Sequence, residues 1–106
     1  MVAQITSKTL PKFLEDNKIA VIDLWAPWCG PCKSMAPEFE QFAQDHVKHL
    51  TAGKVNVDEY PEIAQVFNIF SIPTVLLFKD GQVAASITGG RTNAQLTREL
   101  SSYWEH

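Results

Sequence analysis

The stretch Ile19-Ala20-Val21-Ile22-Asp23-Leu24-Trp25-Ala26-Pro27-Trp28-Cys29-Gly30-Pro31-Cys32-Lys33 decides the fold. Its first seven residues are almost continuously apolar and rich in β-branched side chains, the pattern of a strand buried on both faces. Ala26 to Pro31 read as a turn. Behind it Met35, Phe39, Phe42 and Ala43 recur at helical spacing. Pro37 lies inside that helix, removes one backbone donor and predicts a bend. A buried strand feeding a long helix through a tight turn is the opening unit of an α/β fold.

The alternation continues on either side. Val2–Ile5 reads as a short strand, and Ser7 or Thr9 caps a helix to about Asn17, with Pro11 in or near its first turn. Thr51–Val57 alternates as a strand, with Gly53 counting mildly against it. Pro61 opens a short helix through Ile63, Val66 and Phe67. Ile72–Phe78 and Val83–Thr88 flank Lys79-Asp80-Gly81-Gln82, a hairpin signal because Asp-Gly accepts the positive φ of a tight turn. Thr92 and Gln95 are spaced as a capping box before a helix that carries Leu96 and Leu100, and Tyr103 and Trp104 fit packing beside it. The order βαβαβαββα predicts an α/β fold: a mixed central sheet with helices on both faces, right-handed crossovers early and an antiparallel hairpin late.

Composition narrows the function. No repeat, low-complexity tract or linker divides the chain, so residues 1–106 are read as one domain. With 45% apolar residues and a formal charge of -3, the chain can bury a core, and a disordered chain is excluded. Nine basic residues against twelve acidic ones leave no excess to displace counterions, which argues against nucleic acid. The longest apolar runs, Ile19–Ile22 and Val75–Phe78, fall far short of the roughly 20 residues of a membrane span. Met1 to Pro11 hold Lys8 and no apolar h-region, so the expected location is cytoplasmic.

Two cysteines, Cys29 and Cys32, are too few for a disulfide scaffold, and a bridge closing so short a loop constrains the unfolded chain weakly. Chemistry is the better reason for the pair. A thiolate is the reactive form, and an ordinary thiol near pKa ~8.5 supplies little of it at neutral pH. Cys29 stands where the turn enters the helix, so free N–H groups and the positive end of the dipole favour its anion. Cys32 lies one turn deeper, within disulfide reach and more shielded. Cys29 is therefore expected to attack and Cys32 to resolve, with Gly30 and Pro31 shaping the turn. Zinc is the rival. Thirteen residues separate Cys32 from His46, and two more precede His49. The helix between them would carry His46 roughly 20 Å from Cys32, so no metal is expected. His46, His49 and His106 are read as solvated.

Two other residues break the pattern around them. Asp23 sits in an apolar run, where a carboxylate is costly unless it faces solvent, pairs with Lys54, or stays buried with a raised pKa and exchanges protons. Pro73 follows Ile72 in a β-branched run. On base rates it is a trans proline at a strand start.

Trp28-Cys29-Gly30-Pro31-Cys32-Lys33 strongly resembles the thioredoxin family. Asp23, Trp25, Pro37, Lys54, Ile72-Pro73-Thr74 and Gly89 match further family marks in the same order. The resemblance implies the thioredoxin fold and a protein-disulfide reductase. Cys29–Cys32 would be the redox-active disulfide, Asp23 would accept the Cys32 proton, and Lys54 would modulate Asp23. It also implies a cis Pro73, and a docking rim of Trp28, Ile72, Pro73 and Gly89 beside Pro31. No organic cofactor is implied. NADPH electrons would arrive through a thioredoxin reductase, and the clients would be of the ribonucleotide reductase, peroxiredoxin and methionine sulfoxide reductase types. A monomer is expected. Gly-Pro between the cysteines resembles the reducing members rather than the oxidising ones. Pro27 and Gly90 depart from the common pattern at the edge of the rim and bear on client preference.

Overall fold

The computed structural model describes residues 2–105. Its elements run β1 (Val2–Gln4), α1 (Leu10–Asp16), β2 (Ile19–Trp25), α2 (Gly30–Asp45), β3 (Thr51–Asn56), α3 (Pro61–Val66), β4 (Thr74–Lys79), β5 (Gln82–Thr88) and α4 (Asn93–Leu100), followed by a 3-10 turn, Ser101–Tyr103. This is the expected order. The long apolar run became β2 over the expected residues, and Pro37 is accommodated within α2. Thr9 rather than Ser7 precedes α1 as its cap residue; its hydroxyl accepts from the Thr6 N–H instead of from the helix. β4 begins at Thr74, two residues later than expected, because Ile72 and Pro73 form a bend before it. The hairpin turns on Asp80 and Gly81, with φ of 52° and 83°, and the capping box of α4 is complete, Thr92 with Gln95. Among the described residues no helix is long and apolar enough to cross a membrane.

The sheet is mixed, in the order β1-β3-β2-β4-β5. β3 runs parallel to β1 and β2, whereas β4 is antiparallel to both β2 and β5. Alternation along β2 divides the interior. Ile19 and Val21 face a layer with Met35, Phe39 and Phe42 of α2 and Leu96 and Leu100 of α4. Ala20, Ile22 and Leu24 face the other layer, with Ile63 of α3 and the flanking Leu10, Phe13 and Leu14 of α1. The helices thus cover both faces. Gly53 fits β3 for a packing reason: a Cβ there would lie 2.7 Å from Cγ1 of Ile5, the residue that follows β1, so the close approach of Ile5 requires the missing side chain.

Candidate active site

Cys29 is the residue immediately before α2, with an extended backbone at φ -86° and ψ 108°. Its Sγ accepts from the Cys32 N–H at 3.2 Å, one of the helix's first N–H groups without an internal partner. The Cys29 N–H donates to Ala26 O and the Lys33 N–H to Cys29 O, so the turn and the first helical turn lock this conformation. The two Cα atoms are 5.2 Å apart and the sulfurs are joined in a disulfide. Sulfur placed on a helix N-terminus is held where an anion is favoured.

The expected difference in shielding is absent from the overall exposure, which is 4% for Cys29 and 3% for Cys32. Both are covered by Ala26 together with half-buried Trp25, Val57 and Ile72. Their surroundings differ instead. Cys32, and not Cys29, lines a cavity of about 130 Å³ with Asp23, Trp25, Lys33, Ala36 and Lys54. Gly30 is exposed, and a Cβ there would meet no heavy atom within 4 Å, so no contact demands glycine at that position.

Asp23 shares the face of Val21, because alternate residues of a strand point the same way. It is 4% exposed, and its Oδ1 has no hydrogen-bond partner. Burial pushes its pKa up to about 7, against a smaller lowering by Lys54. The two are direct register partners across β2 and β3, yet no ion pair joins them. Lys54 Nζ lies 5.7 Å from the centre of the Trp25 ring. Of the alternatives for Asp23, solvent exposure and a Lys54 salt bridge are both overturned. The cavity has room for a few waters at about 30 Å³ each, and Asp23 and Lys54 supply polar partners for them.

Ile72–Pro73 is a cis peptide bond, as the resemblance implies and against the base-rate expectation. Pro73 is buried, and its carbonyl accepts from the Gly89 N–H at 2.9 Å. Gly89 has a φ of 96°, a region costly for any residue with a Cβ. Pro31 lines a groove with Gly90, Arg91 and Thr92, so the start of α2 and the β5–α4 loop are neighbours. Trp28 is 69% exposed, and its Nε1 donates to Asp58 Oδ1 at 3.1 Å. Sequence reasoning does not single out Asp58. It lies 30 positions away, and its only local mark is an Asx-type turn in which Asn56 Oδ1 accepts the Asp58 N–H.

His46 corrects its reading as solvated. It is half-buried, packs 5.0 Å from the Phe42 ring and 5.1 Å from Trp104, and hydrogen-bonds Thr97 Oγ1 through Nε2. His49 is exposed beside Trp104, and His106 lies outside the described residues. Among the described residues no three His, Cys, Asp or Glu side chains converge as a metal site.

The family model named Thioredoxin matches residues 1–102. The thioredoxin of Mycobacterium bovis is 49% identical over 88 residues, which cover 83% of this chain and 76% of that protein. A bifunctional thioredoxin reductase/thioredoxin of Mycobacterium leprae is 46% identical over 88 residues, 83% of this chain and 19% of the fusion. Among solved structures, a single-site mutant thioredoxin from Halobacterium salinarum NRC-1 superposes with a TM-score of 0.90 at 28% identity, covering 98% of this chain and 91% of that one. With a disulfide-forming pair at the start of α2, the chain belongs to the thioredoxin family and is a thiol–disulfide oxidoreductase.

Proposed function

We propose that residues 1–106 act as one domain that reduces client disulfides in two exchanges, with Cys29 attacking and Cys32 resolving. In the first, the Cys29 thiolate attacks a client sulfur; a Cys29–client disulfide forms and the other client sulfur leaves as a thiolate. In the second, Cys32 loses its proton and attacks Cys29 Sγ, releasing the second client thiolate. The client gains two electrons, and Cys29–Cys32 is left oxidised. The observation that carries this reading is the cysteine pair beside the unpartnered Asp23: one sulfur accepts a helix N–H, and the other lines the cavity of a buried carboxyl.

A carboxyl whose pKa lies near 7 is matched to proton transfer at neutral pH, which supports Asp23 as acceptor of the Cys32 proton through cavity water. Lys54 modulates it by favouring the carboxylate. Trp28, Ile72, Pro73 and Gly89 receive the client; the exposed Trp28 ring and half-buried Ile72 beside the sulfurs support this role, and Pro73 lets an extended segment pair along Ile72. Gly30 and Pro31 tune the redox turn.

The dithiol is itself the redox group, so no organic cofactor is needed, and NADPH electrons return through a thioredoxin reductase. The mycobacterial relative that joins both activities in one chain supports that partner. Clients of the ribonucleotide reductase, peroxiredoxin and methionine sulfoxide reductase types, a reducing cytoplasmic setting and action as a monomer complete the reading.

Insulin-disulfide reduction tests it. Cys29→Ser abolishes turnover, and Cys32→Ser accumulates a covalent client adduct on Cys29. An adduct that forms only through Cys32 would reverse the roles. Undiminished function with both sulfurs removed would make the protein a binding module.

A further inference from the structure

Phe70 is 92% exposed, the most exposed of the large apolar side chains. It stands two residues before Ile72, which packs against the Cys29–Cys32 cluster. It also forms one wall of a groove of about 340 Å³. Phe67, Thr74 and Leu76 of β4, and Val83, Ser86 and Thr88 of edge strand β5 also line it. None of the lining side chains is ionisable. The groove is continuous with the docking rim, because Thr74 and Thr88 adjoin Pro73 and Gly89, themselves joined by a hydrogen bond. An aromatic ring so fully in water contributes nothing to the fold's own core and gains only when something covers it.

We propose that Phe70 is a specificity-determining contact. It and the groove behind it receive a large apolar side chain two or three residues from the reacting cysteine of a client polypeptide. The inference rests on the reductase reading above and deepens it. A client strand advances about 3.3 Å per residue, so a segment paired beside Ile72 reaches Phe70 within that span. An apolar residue there sheds water against the Phe70 ring, a gain that a small polar residue does not share.

The test uses two glutathione-capped single-cysteine peptides. They are identical except for Leu or Ser at the second and third positions on both sides of the cysteine. The readout is the ratio of their kcat/KM values with one protein preparation, so any general change in rate cancels. The wild-type protein favours the Leu peptide by roughly tenfold, expressed in KM. In Phe70→Ser that ratio falls by more than about threefold, and Phe70→Leu restores most of it. A smaller fall, or a wild-type protein without preference, overturns the proposal. A wild-type protein that reduces insulin but neither peptide overturns the proposal, and one that reduces neither insulin nor the peptides sinks the reductase reading. Folding does not confuse the result, since residue 70 is a surface position.

Discussion

Asp23 and Leu24 are neighbours in β2 that point to opposite faces of one sheet. Leu24 is fully buried in the layer under α1 and α3, where the buried side chains are apolar except its register partner Thr74, whose hydroxyl donates to Ser71 O. Asp23 is as well covered on the α2 side, and one of its oxygens meets no partner. In the α1/α3 layer the buried polar group has its partner. The α2/α4 layer is a core through Val21, Phe42 and Leu96, and at the end of β2 it gives way to a carboxyl, a cavity and two sulfurs. The chemistry occupies the place where packing is interrupted, and the apolar remainder holds that interruption in position.

Three substitutions break or sharpen this contrast. The largest expected effect on stability is Leu24→Ala, a loss of about 2–5 kcal/mol by denaturant titration, because the removed side chain leaves a cavity in a closed layer. Reductase rate per folded molecule stays unchanged; a rate loss beyond the loss of folded protein would break the division between the faces.

Asp23→Asn is expected to slow resolution of the mixed disulfide about 100-fold while barely changing the first attack. Equal slowing of both steps removes Asp23 from proton transfer. The same variant sharpens the energetic side. The carboxyl titrates at 3.8 when unfolded and at about 7 when folded, so between these values the native state holds more protons. Stability therefore falls as pH rises from about 4 to about 7 and levels off above that. Roughly 2–3 kcal/mol of this loss lies between pH 5 and pH 8, and Asn abolishes that slope. A slope that persists in the variant would assign the pH dependence to another group.

The smallest effect belongs to Thr92→Ala, which removes the hydroxyl half of the α4 capping box and costs about 1 kcal/mol. It would show that the α2/α4 face is held by ordinary helix energetics away from its polar end. No change on thermal unfolding would mean that Leu96 and Leu100 fix α4 without its cap.

Much of this was legible in the chain. The nearly continuous apolar run of β2, the helical spacing after Cys29, the Asp80-Gly81 turn and the Thr92–Gln95 box are local patterns, and local patterns report local structure. The Cys29–Cys32 spacing at a helix start was equally local. Other features were hidden. Gly53 counted against its strand because the approach of Ile5 lies 48 positions away. His46 looked solvated because Thr97 and Trp104 arrive only with the last helix. Asp58 was silent because its partner, the Trp28 ring, is carried by another loop.

The amino-acid order alone determined the elements, their alternation, the turn chemistry and the two sulfurs one helical turn apart, because each depends on residues within a few positions of one another. The tertiary structure alone decided the order β1-β3-β2-β4-β5, the face to which Asp23 turns and its lack of a partner. It also decided the near-equal cover of the two cysteines and the meeting of Pro73 with Gly89. Those depend on register between distant segments, and register is set by how whole faces pack rather than by any one stretch of chain.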